Sequence, residues 1–234
     1  MNRITLNADV GELPARIDSG DDAALIALID DANIACGGHA GDDGSMASSV
    51  RACLAHDTAI GAHPSYPDRA GFGRSAMGIA PAELALSLRA QLQSLQQVAV
   101  AAGSRVSFVK PHGALYHDVG RDPALATLLL SAVRDVVGDV PLVLFWRAPV
   151  VAALQAAGAR VRREAFGDRG TDDHDQLLPR GADGAVLGAD DAVVQWSRVQ
   201  ARAAALGTAL DTVCVHGDGP EALAVAGAIS ALLR

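Results

Sequence analysis

Short β-prone runs alternate with longer helical patterns along this chain, and this alternation restricts its fold more than any other feature. Strands are predicted at about 3–9, 33–36, 58–62, 105–110, 141–145, 160–165 and 210–215. Helices between successive strands imply a parallel sheet with helical crossovers. No Gly-x-Gly-x-x-Gly sequence follows the first strand, which favours a closed or nearly closed barrel over an open doubly wound sheet. We therefore predict an α/β fold, a TIM-like barrel with about seven parallel strands.

The segment from Pro81 to Ala102 shows the helical signals most clearly. Pro81 suits a first helical position, Glu83 favours the positive end of the helix dipole, and Gly103 is a carboxyl cap. An apolar stripe runs through Leu84, Leu88, Leu92 and Leu95. The last helix is predicted to begin near 219–221 and to run to the end of the chain.

One long segment, 166–188, is rich in Gly and Asp and has no periodicity. We interpret it as an active-site loop rather than a domain boundary. Since no linker or repeat is visible, residues 1–234 are predicted to form a single barrel domain.

Charge and composition exclude several classes of protein. The formal net charge of −8 and the absence of a Lys/Arg run argue against a nucleic-acid partner. No apolar run approaches the roughly 18 residues of a membrane helix, and the amino terminus does not resemble a signal peptide. Three widely spaced cysteines fit neither a disulfide framework nor a CxxC metal site, and they suit a reducing cytoplasm.

Charged or imidazole-bearing residues follow nearly every predicted strand, and a parallel barrel brings all strand ends to one face. Four of the seven histidines occur at four such ends. The predicted catalytic residues are Asp9, His39, His63, Lys110, His112 and Glu164. The predicted substrate-binding residues are Asn7, Glu12, Asn33, Arg69, Arg74, Asp168, Arg169, His216 and Asp218.

Each candidate also has a structural interpretation. A single histidine after a strand is most often a hydrogen-bonded structural residue, so the prediction depends on the whole set. Arg69 and Arg74 are either loop clamps or ligands for a carboxylate or phosphate. Lys110 is either functional, a strand-end lysine that extends to solvent, or only a bridge between strand-end carboxylates. Asp218 either binds substrate or caps the last helix.

The remaining histidines and the cysteines are weaker candidates. His56, at the end of a helix, and His174, in the Asp-rich loop, are interpreted as surface residues, and His117 is left open. Cys36 and Cys214 are interpreted as small buried residues.

Seven segments carry a family resemblance, in order over almost the whole chain: LNADVGE (6–12), NIACGGHAGD (33–42), IGAHPSYPDRAGFGRSAM (60–77), VKPHGALY (109–116), FGDRG (166–170), LLPR (177–180) and TVCVHGDGPEAL (212–223). With them the chain resembles the LamB/YcsF family, the A subunits of bacterial 5-oxoprolinase. It departs from the family at Gly38 and Thr171, where an aromatic residue is common, and at Asp175, where glycine is usual.

The resemblance implies ATP-dependent opening of 5-oxoproline to glutamate, with two further subunits, B and C. It also implies a seven-stranded barrel akin to the glycoside hydrolase/deacetylase superfamily. ATP is expected as co-substrate, and because the chain contains no GxxxxGK[ST] loop, a partner subunit is a candidate for binding it. Self-association is left open.

The chemistry of a lactam explains why such residues are needed. Opening an amide requires an activated water, stabilisation of the oxyanion and a proton for the leaving nitrogen. Along strand four, Lys110 is predicted to act as a fixed positive charge and His112 in proton transfer.

Asp9, His63 and His112 are alternatively ligands of a divalent metal. A stand-alone metal-dependent amidase or deacetylase and a non-catalytic lactam-binding subunit therefore remain as alternative functions.

Overall fold

The computed structural model describes residues 3–217, 219 and 221–234. Within them, parallel strands β1 to β7 follow one another around a closed barrel, and β7 pairs with β1. The strands are Thr5–Val10, Asp31–Ala35, Ala59–His63, Phe108–Val109, Leu142–Phe145, Val161–Phe166 and Thr212–Val215. The predicted barrel of about seven parallel strands is confirmed.

Helices occupy the outside of the barrel. In chain order α1 to α9 are Pro14–Ser19, Asp21–Ile26, Asp43–Ala55, Pro81–Ala101, Gly113–Arg121, Pro123–Val136, Val151–Ala156, Ala189–Ala205 and Ala222–Leu233. The predicted signals of α4 are confirmed: proline starts it, Glu83 lies in its first turn, and Gly103 follows its end at a φ of +79°. No helix in the described part of the chain combines the length and apolar character needed to cross a membrane.

Strand β4 is much shorter than the predicted 105–110. Before it, the backbone N–H of Val106 donates to the side chain of Gln96 on α4 instead of to a neighbouring strand. After it, Lys110 still donates to Ala62, but Pro111 has no N–H with which to continue the ladder. The strand therefore ends just before Lys110.

Alternation along the strands separates an apolar layer from a polar interior. On β1, Leu6, Ala8 and Val10 belong to the main hydrophobic core with the helices. Between them, Asn7 and Asp9 face the barrel interior, where Asn33 donates to both at 2.8 Å. The interior thus carries polar groups up to the carboxyl ends of the strands.

Candidate active site

A cavity of about 480 Å³ opens at the carboxyl ends of the strands. Its wall combines residues from several strand ends, from α5 and from the loop after β6, among them Asp9, His63, Lys110, His112, Tyr116, Phe166, Arg169 and His216. This position follows from the topology, because every strand of a parallel barrel ends on the same face.

A buried ammonium group forms the floor of the cavity. Lys110 is 2% exposed, and its Nζ lies 3.1 Å from Asp9 Oδ1 and 3.1 Å from Glu164 Oε1. The Nζ also donates to Asn7 Oδ1 and to Cys214 Sγ, at 3.3 and 2.9 Å. We call these residues the lysine cluster: Lys110, Asn7, Asp9, Glu164 and Cys214.

Electrostatics keep Lys110 and Asp9 ionised. Burial opposes the charge of Lys110, but Asp9 and Glu164 hold its pKa well above the ordinary value. Burial likewise opposes ionisation of Asp9, yet His63 and Lys110 keep the pKa of this carboxyl well below its usual range. Two carboxylates therefore flank one fixed positive charge.

Tyr116 extends this arrangement from α5. Its hydroxyl donates to Glu164 Oε2 at 2.7 Å. Burial and the neighbouring carboxylate together raise the pKa of Tyr116 well above the ordinary value, so the hydroxyl keeps its proton. Glu164 is held between the Tyr116 hydroxyl and the Lys110 ammonium.

Beside the lysine cluster lies the imidazole cluster, made of Glu12, His39, His63 and His112. Three imidazole nitrogens surround Glu12 Oε1, at 2.9 Å for His39 Nε2, 3.3 Å for His112 Nδ1 and 3.9 Å for His63 Nε2. The rings of His39 and His112 stack, with centroids 3.6 Å apart. Burial opposes ionisation of Glu12, but hydrogen bonds with His112 and His39 keep its pKa far below the usual value. Burial lowers the pKa of His39 to about 4.

Two glycines allow the loop after β3 to close over the imidazole cluster. Gly73 and Gly113 have φ of +65° and +55°, in the region that favours glycine. A Cβ on Gly113 would lie 2.4 Å from the carbonyl oxygen of Gly73. Because that carbonyl accepts from Ala114 N–H at 2.9 Å, the loop and the start of α5 are held together.

On the opposite side, Asp168 holds His216. The carboxylate accepts from the backbone N–H of His216 at 2.6 Å and lies 3.0 Å from its Nδ1. Burial opposes both charges, but the pairing raises the pKa of His216 and lowers that of Asp168. The imidazole also stacks against the Phe166 ring, with centroids 5.7 Å apart.

Thirteen of the fifteen predicted site residues divide into two groups by position. Those in the cavity wall are Asp9, Glu12, His63, Arg74, Lys110, His112, Arg169 and His216. Those that contact the wall from behind or below are Asn7, Asn33, His39, Glu164 and Asp168. Asp218 lies outside the described residues.

Arg69 does not reach this cavity. Its guanidinium donates to the carbonyl oxygens of Gly37 and Gly41, at 3.1 and 3.0 Å. These contacts fit the loop-clamp interpretation, because they tie the loop after β3 to the loop after β2. Arg169 performs a similar task while lining the cavity, since it donates to Ala185 and Leu178 of the loop after β6.

Sequence reasoning missed Tyr116 and underrated Cys214. Tyr116 follows His112 by four residues at the start of a helix, a spacing that places both on one face, and this signal was available. Cys214 is buried, as predicted, but its contact with Lys110 spans 104 residues of sequence and has no local signal. His117 is exposed and lines the cavity, while His56 and His174 are exposed as predicted.

Known proteins of one family are similar to this chain over almost its whole length. The model of the LamB/YcsF family matches residues 4–234. A Bordetella pertussis protein, named as the A subunit of 5-oxoprolinase, is 40% identical over 99% of this chain and 95% of its own length. A Methylococcus capsulatus protein of the same name is 42% identical over 95% of this chain and 89% of its own.

Solved structures show the same architecture. The lactam utilization protein of Thermus thermophilus has a TM-score of 0.83 and 33% identity, covering 99% of this chain and 97% of that one. A family 39 glycoside hydrolase from Bacteroides cellulosilyticus has a TM-score of 0.51 at 12% identity and covers 99% of this chain and 63% of that one, which shows a likeness of fold alone.

Proposed function

The chain belongs to the LamB/YcsF family, and on this premise we propose that it is the A subunit of a 5-oxoprolinase, which opens 5-oxo-L-proline to L-glutamate with the consumption of ATP. The observation that carries the proposal is the identity of 40% over 99% of the chain with a protein named as the A subunit of 5-oxoprolinase. The cavity lies where barrel enzymes perform their chemistry.

The cavity suits a small, polar, anionic lactam. Its volume of about 480 Å³ is within the range of small-molecule sites. Arg74, Arg121 and Arg180 contribute to its wall, and the planar guanidinium matches a carboxylate such as that of 5-oxoproline. Apolar contact is available from Phe166 and Leu177, which are also part of the wall.

The two clusters supply what amide opening requires. Lys110 offers a fixed positive charge that would offset the negative charge developing on the lactam oxygen. Asp9 is ionised and lies 3.3 Å from His63 Nε2, so these two groups can share the proton of an attacking water. His112, in the cavity wall, extends this path and can pass the proton to the leaving nitrogen, while the Tyr116 hydroxyl holds Glu164 in place by its hydrogen bond.

ATP and partner subunits complete the proposal. Transfer of the terminal phosphoryl group of ATP to the lactam oxygen would release ADP and make the carbon more electrophilic. Water added at that carbon would expel the ring nitrogen and leave an acyl phosphate, which a second water would hydrolyse to glutamate and inorganic phosphate. The relatives' name denotes one subunit of several, and we assign nucleotide binding to the accompanying subunits B and C, since this chain has no phosphate-binding loop motif. The cytoplasmic location stays a prediction.

Glutamate release is the decisive measurement. The assays with 5-oxoproline would compare four samples: the chain alone, subunits B and C alone, the three subunits with ATP, and the three subunits without ATP. We expect release only from the complete mixture with ATP. Robust, ATP-independent turnover by the chain alone would contradict the proposal and support a stand-alone amidase. An unchanged rate when this chain is omitted would assign catalysis to the other subunits.

A second function is favoured by one observation, the convergence of three histidines on Glu12. A metal-dependent amidase needs such a set to bind its ion. Assays of the chain alone on simple amides, before and after chelation, separate this function from the first. ATP-independent activity that chelation abolishes would support it.

A further inference from the structure

The imidazole cluster contains more ligating groups than proton transfer at one place requires. Its four ligand atoms come from four consecutive strand ends, β1 to β4, and lie within 4.8 Å of one another. The three imidazoles are 1 to 6% exposed. We propose that the imidazole cluster binds one divalent transition-metal ion, with zinc as the preferred ion, through three imidazole nitrogens and one carboxylate oxygen.

Hydrogen bonds fix the tautomers of two histidines so that their other nitrogens face each other. His63 Nδ1 lies 2.7 Å from the carbonyl oxygen of Lys110, and His112 Nε2 lies 3.0 Å from that of Phe72. A carbonyl oxygen only accepts, so both of these nitrogens carry protons. In the neutral rings the lone pairs of His63 Nε2 and His112 Nδ1 then point at each other across 3.0 Å.

Two lone pairs at this distance repel unless a positive charge lies between them. A cation would remove the repulsion. The alternative is a proton on one of these two nitrogens, which would also allow His112 to donate to Glu12 or His63 to donate to Asp9. The backbone carbonyls match the outer partners that metal-bound histidines commonly have, where the second ring N–H donates to a carbonyl or carboxylate. His39 contributes a third nitrogen, Nε2, and its buried Nδ1 has no hydrogen-bond partner among the described residues.

Four of the six distances between the ligand atoms bracket the spacing expected around a small tetrahedral ion. Nitrogen and oxygen ligands of zinc stand about 3.3–3.5 Å apart at tetrahedral angles. In the cluster, Glu12 Oε1 is 2.9, 3.3 and 3.9 Å from the three nitrogens, and two of these nitrogens are 3.0 Å apart. The stacked rings of His39 and His112 would have to tilt from parallel for both lone pairs to converge on one ion.

The neighbouring trio of Asp9, Cys214 and His216 is a weaker candidate for the ion. Its ligand atoms also lie within 4.8 Å of one another. However, the Lys110 ammonium already contacts Asp9 and Cys214 at 3.1 and 2.9 Å, and a second cation there would meet its repulsion. The imidazole cluster contains no lysine or arginine.

With an ion bound, the roles within the site would be divided differently. The ligating nitrogens of His63 and His112 would hold the ion, and four protein ligands would fill its tetrahedral shell, as in structural zinc sites. Asp9 lies beside His63 but outside the four ligands, so it would keep its place in the cavity wall. This assignment does not depend on which amide is the substrate.

Metal content of the isolated chain tests the inference without the activity assay. The chain would be freed of metal with a chelator, supplied with zinc, desalted and analysed by mass spectrometry for bound metal. We expect one zinc per chain for the wild type. His39→Ala and Glu12→Gln should each weaken zinc binding by more than about 100-fold, because loss of a mere hydrogen-bonding partner of a ligand costs about 10–100-fold.

Matched variants separate the cluster from other zinc ligands. His56→Ala and His174→Ala remove exposed histidines, and Cys214→Ser removes the thiol of the neighbouring trio; all three should retain one zinc. Circular dichroism of every variant identifies any that does not fold, and Glu12→Gln, which keeps the side-chain shape, serves if His39→Ala fails. A wild-type chain that retains no zinc, or a Cys214→Ser variant that loses it, would overturn the proposal.

In crystals soaked with zinc, an anomalous peak among the four ligand atoms would support it, and a peak elsewhere in the cavity would refute it.

Discussion

At the scale of single residues, Lys110 determines how the site is charged. The sequence predicts a functional lysine, with a bridge between strand-end carboxylates as the structural alternative. In the structure Lys110 contacts both Asp9 and Glu164 while being 2% exposed. A buried charge left without its partner is strongly destabilising. Both interpretations therefore hold, because the same ammonium lines the cavity and is the counter-ion of the two carboxylates at its floor.

Replacing this lysine should affect stability as well as turnover. We expect Lys110→Met to lower the free energy of unfolding by about 3–5 kcal/mol, since two buried carboxylates lose their counter-ion. Glutamate release by the reconstituted complex should fall as well. Urea unfolding measures the first effect. In the matched control Arg89→Met, loss of an exposed pair with Asp135 should cost less than about 1 kcal/mol.

A second substitution identifies the cause of that loss. Lys110→Met/Glu164→Gln removes one of the two stranded carboxylates and should recover part of the lost stability. If Lys110→Met unfolds at the same urea concentration as the wild type, the ammonium does not hold the floor together, and its role is confined to the cavity.

At the scale of elements, the loop after β6 is the part of the site with the least regular structure. Segment 166–188 begins with the last residue of β6 and otherwise has only isolated bridges, from Arg169 to Val186 and from Thr171 to Leu177. Arg169 spans the segment through its contacts with Ala185 and Leu178. We expect this Gly- and Asp-rich loop to be mobile without ligand, and the contacts of Arg169 with Ala185 and Leu178 would limit that mobility.

Removing this clamp should loosen the loop without affecting the barrel. We expect Arg169→Met to speed amide hydrogen exchange across residues 171–187 and to leave β1 to β3 unchanged. The guanidinium ties Leu178 to Ala185, and irregular segments open more readily than a barrel. Hydrogen exchange followed by mass spectrometry measures both regions. Arg202→Met is the control, since its contact with Asp175 in the same loop is exposed. Equal exchange in the two variants would mean that Arg169 does not order the loop.

At the scale of the whole molecule, closure of the barrel depends on a tight interior. A Cβ added to Gly61 on β3 would lie 2.1 Å from the Phe108 ring of β4. The guanidinium of Arg162 on β6 covers the same ring, 5.4 Å from its centroid. Side chains or backbone of three strands thus surround the Phe108 ring. The strand β3 passes so close to this ring that position 61 has room only for glycine.

Enlarging Gly61 should strain the whole barrel. We expect Gly61→Ala to destabilise the protein by about 1–3 kcal/mol, the usual cost of overpacking a core. The control is Gly227→Ala in α9, where an added Cβ meets nothing within 4 Å and helix propensity should stabilise by about 0.5–1 kcal/mol. Urea unfolding of both variants provides the comparison, and a stable Gly61→Ala variant would mean that Phe108 moves aside at little cost.

The sequence by itself determined the order of strands and helices and the polar residues that follow the strands. These features are local: alternation, helix caps and a histidine or carboxylate after a strand are written in neighbouring residues. It also led to the family, since the motifs occur in order along the chain. It predicted β4 too long, because the competing bond from Val106 to Gln96 depends on where α4 packs.

Only the tertiary structure decided which polar groups share a cluster. Lys110 meets Asp9 across 101 residues and Cys214 across 104, and no sequence spacing encodes either distance. The same holds for Arg69, whose guanidinium turns to the loop carbonyls of Gly37 and Gly41 instead of the cavity. Closure of the barrel sets these partners, because the curvature of the sheet and the packing of its helices fix where each strand end projects.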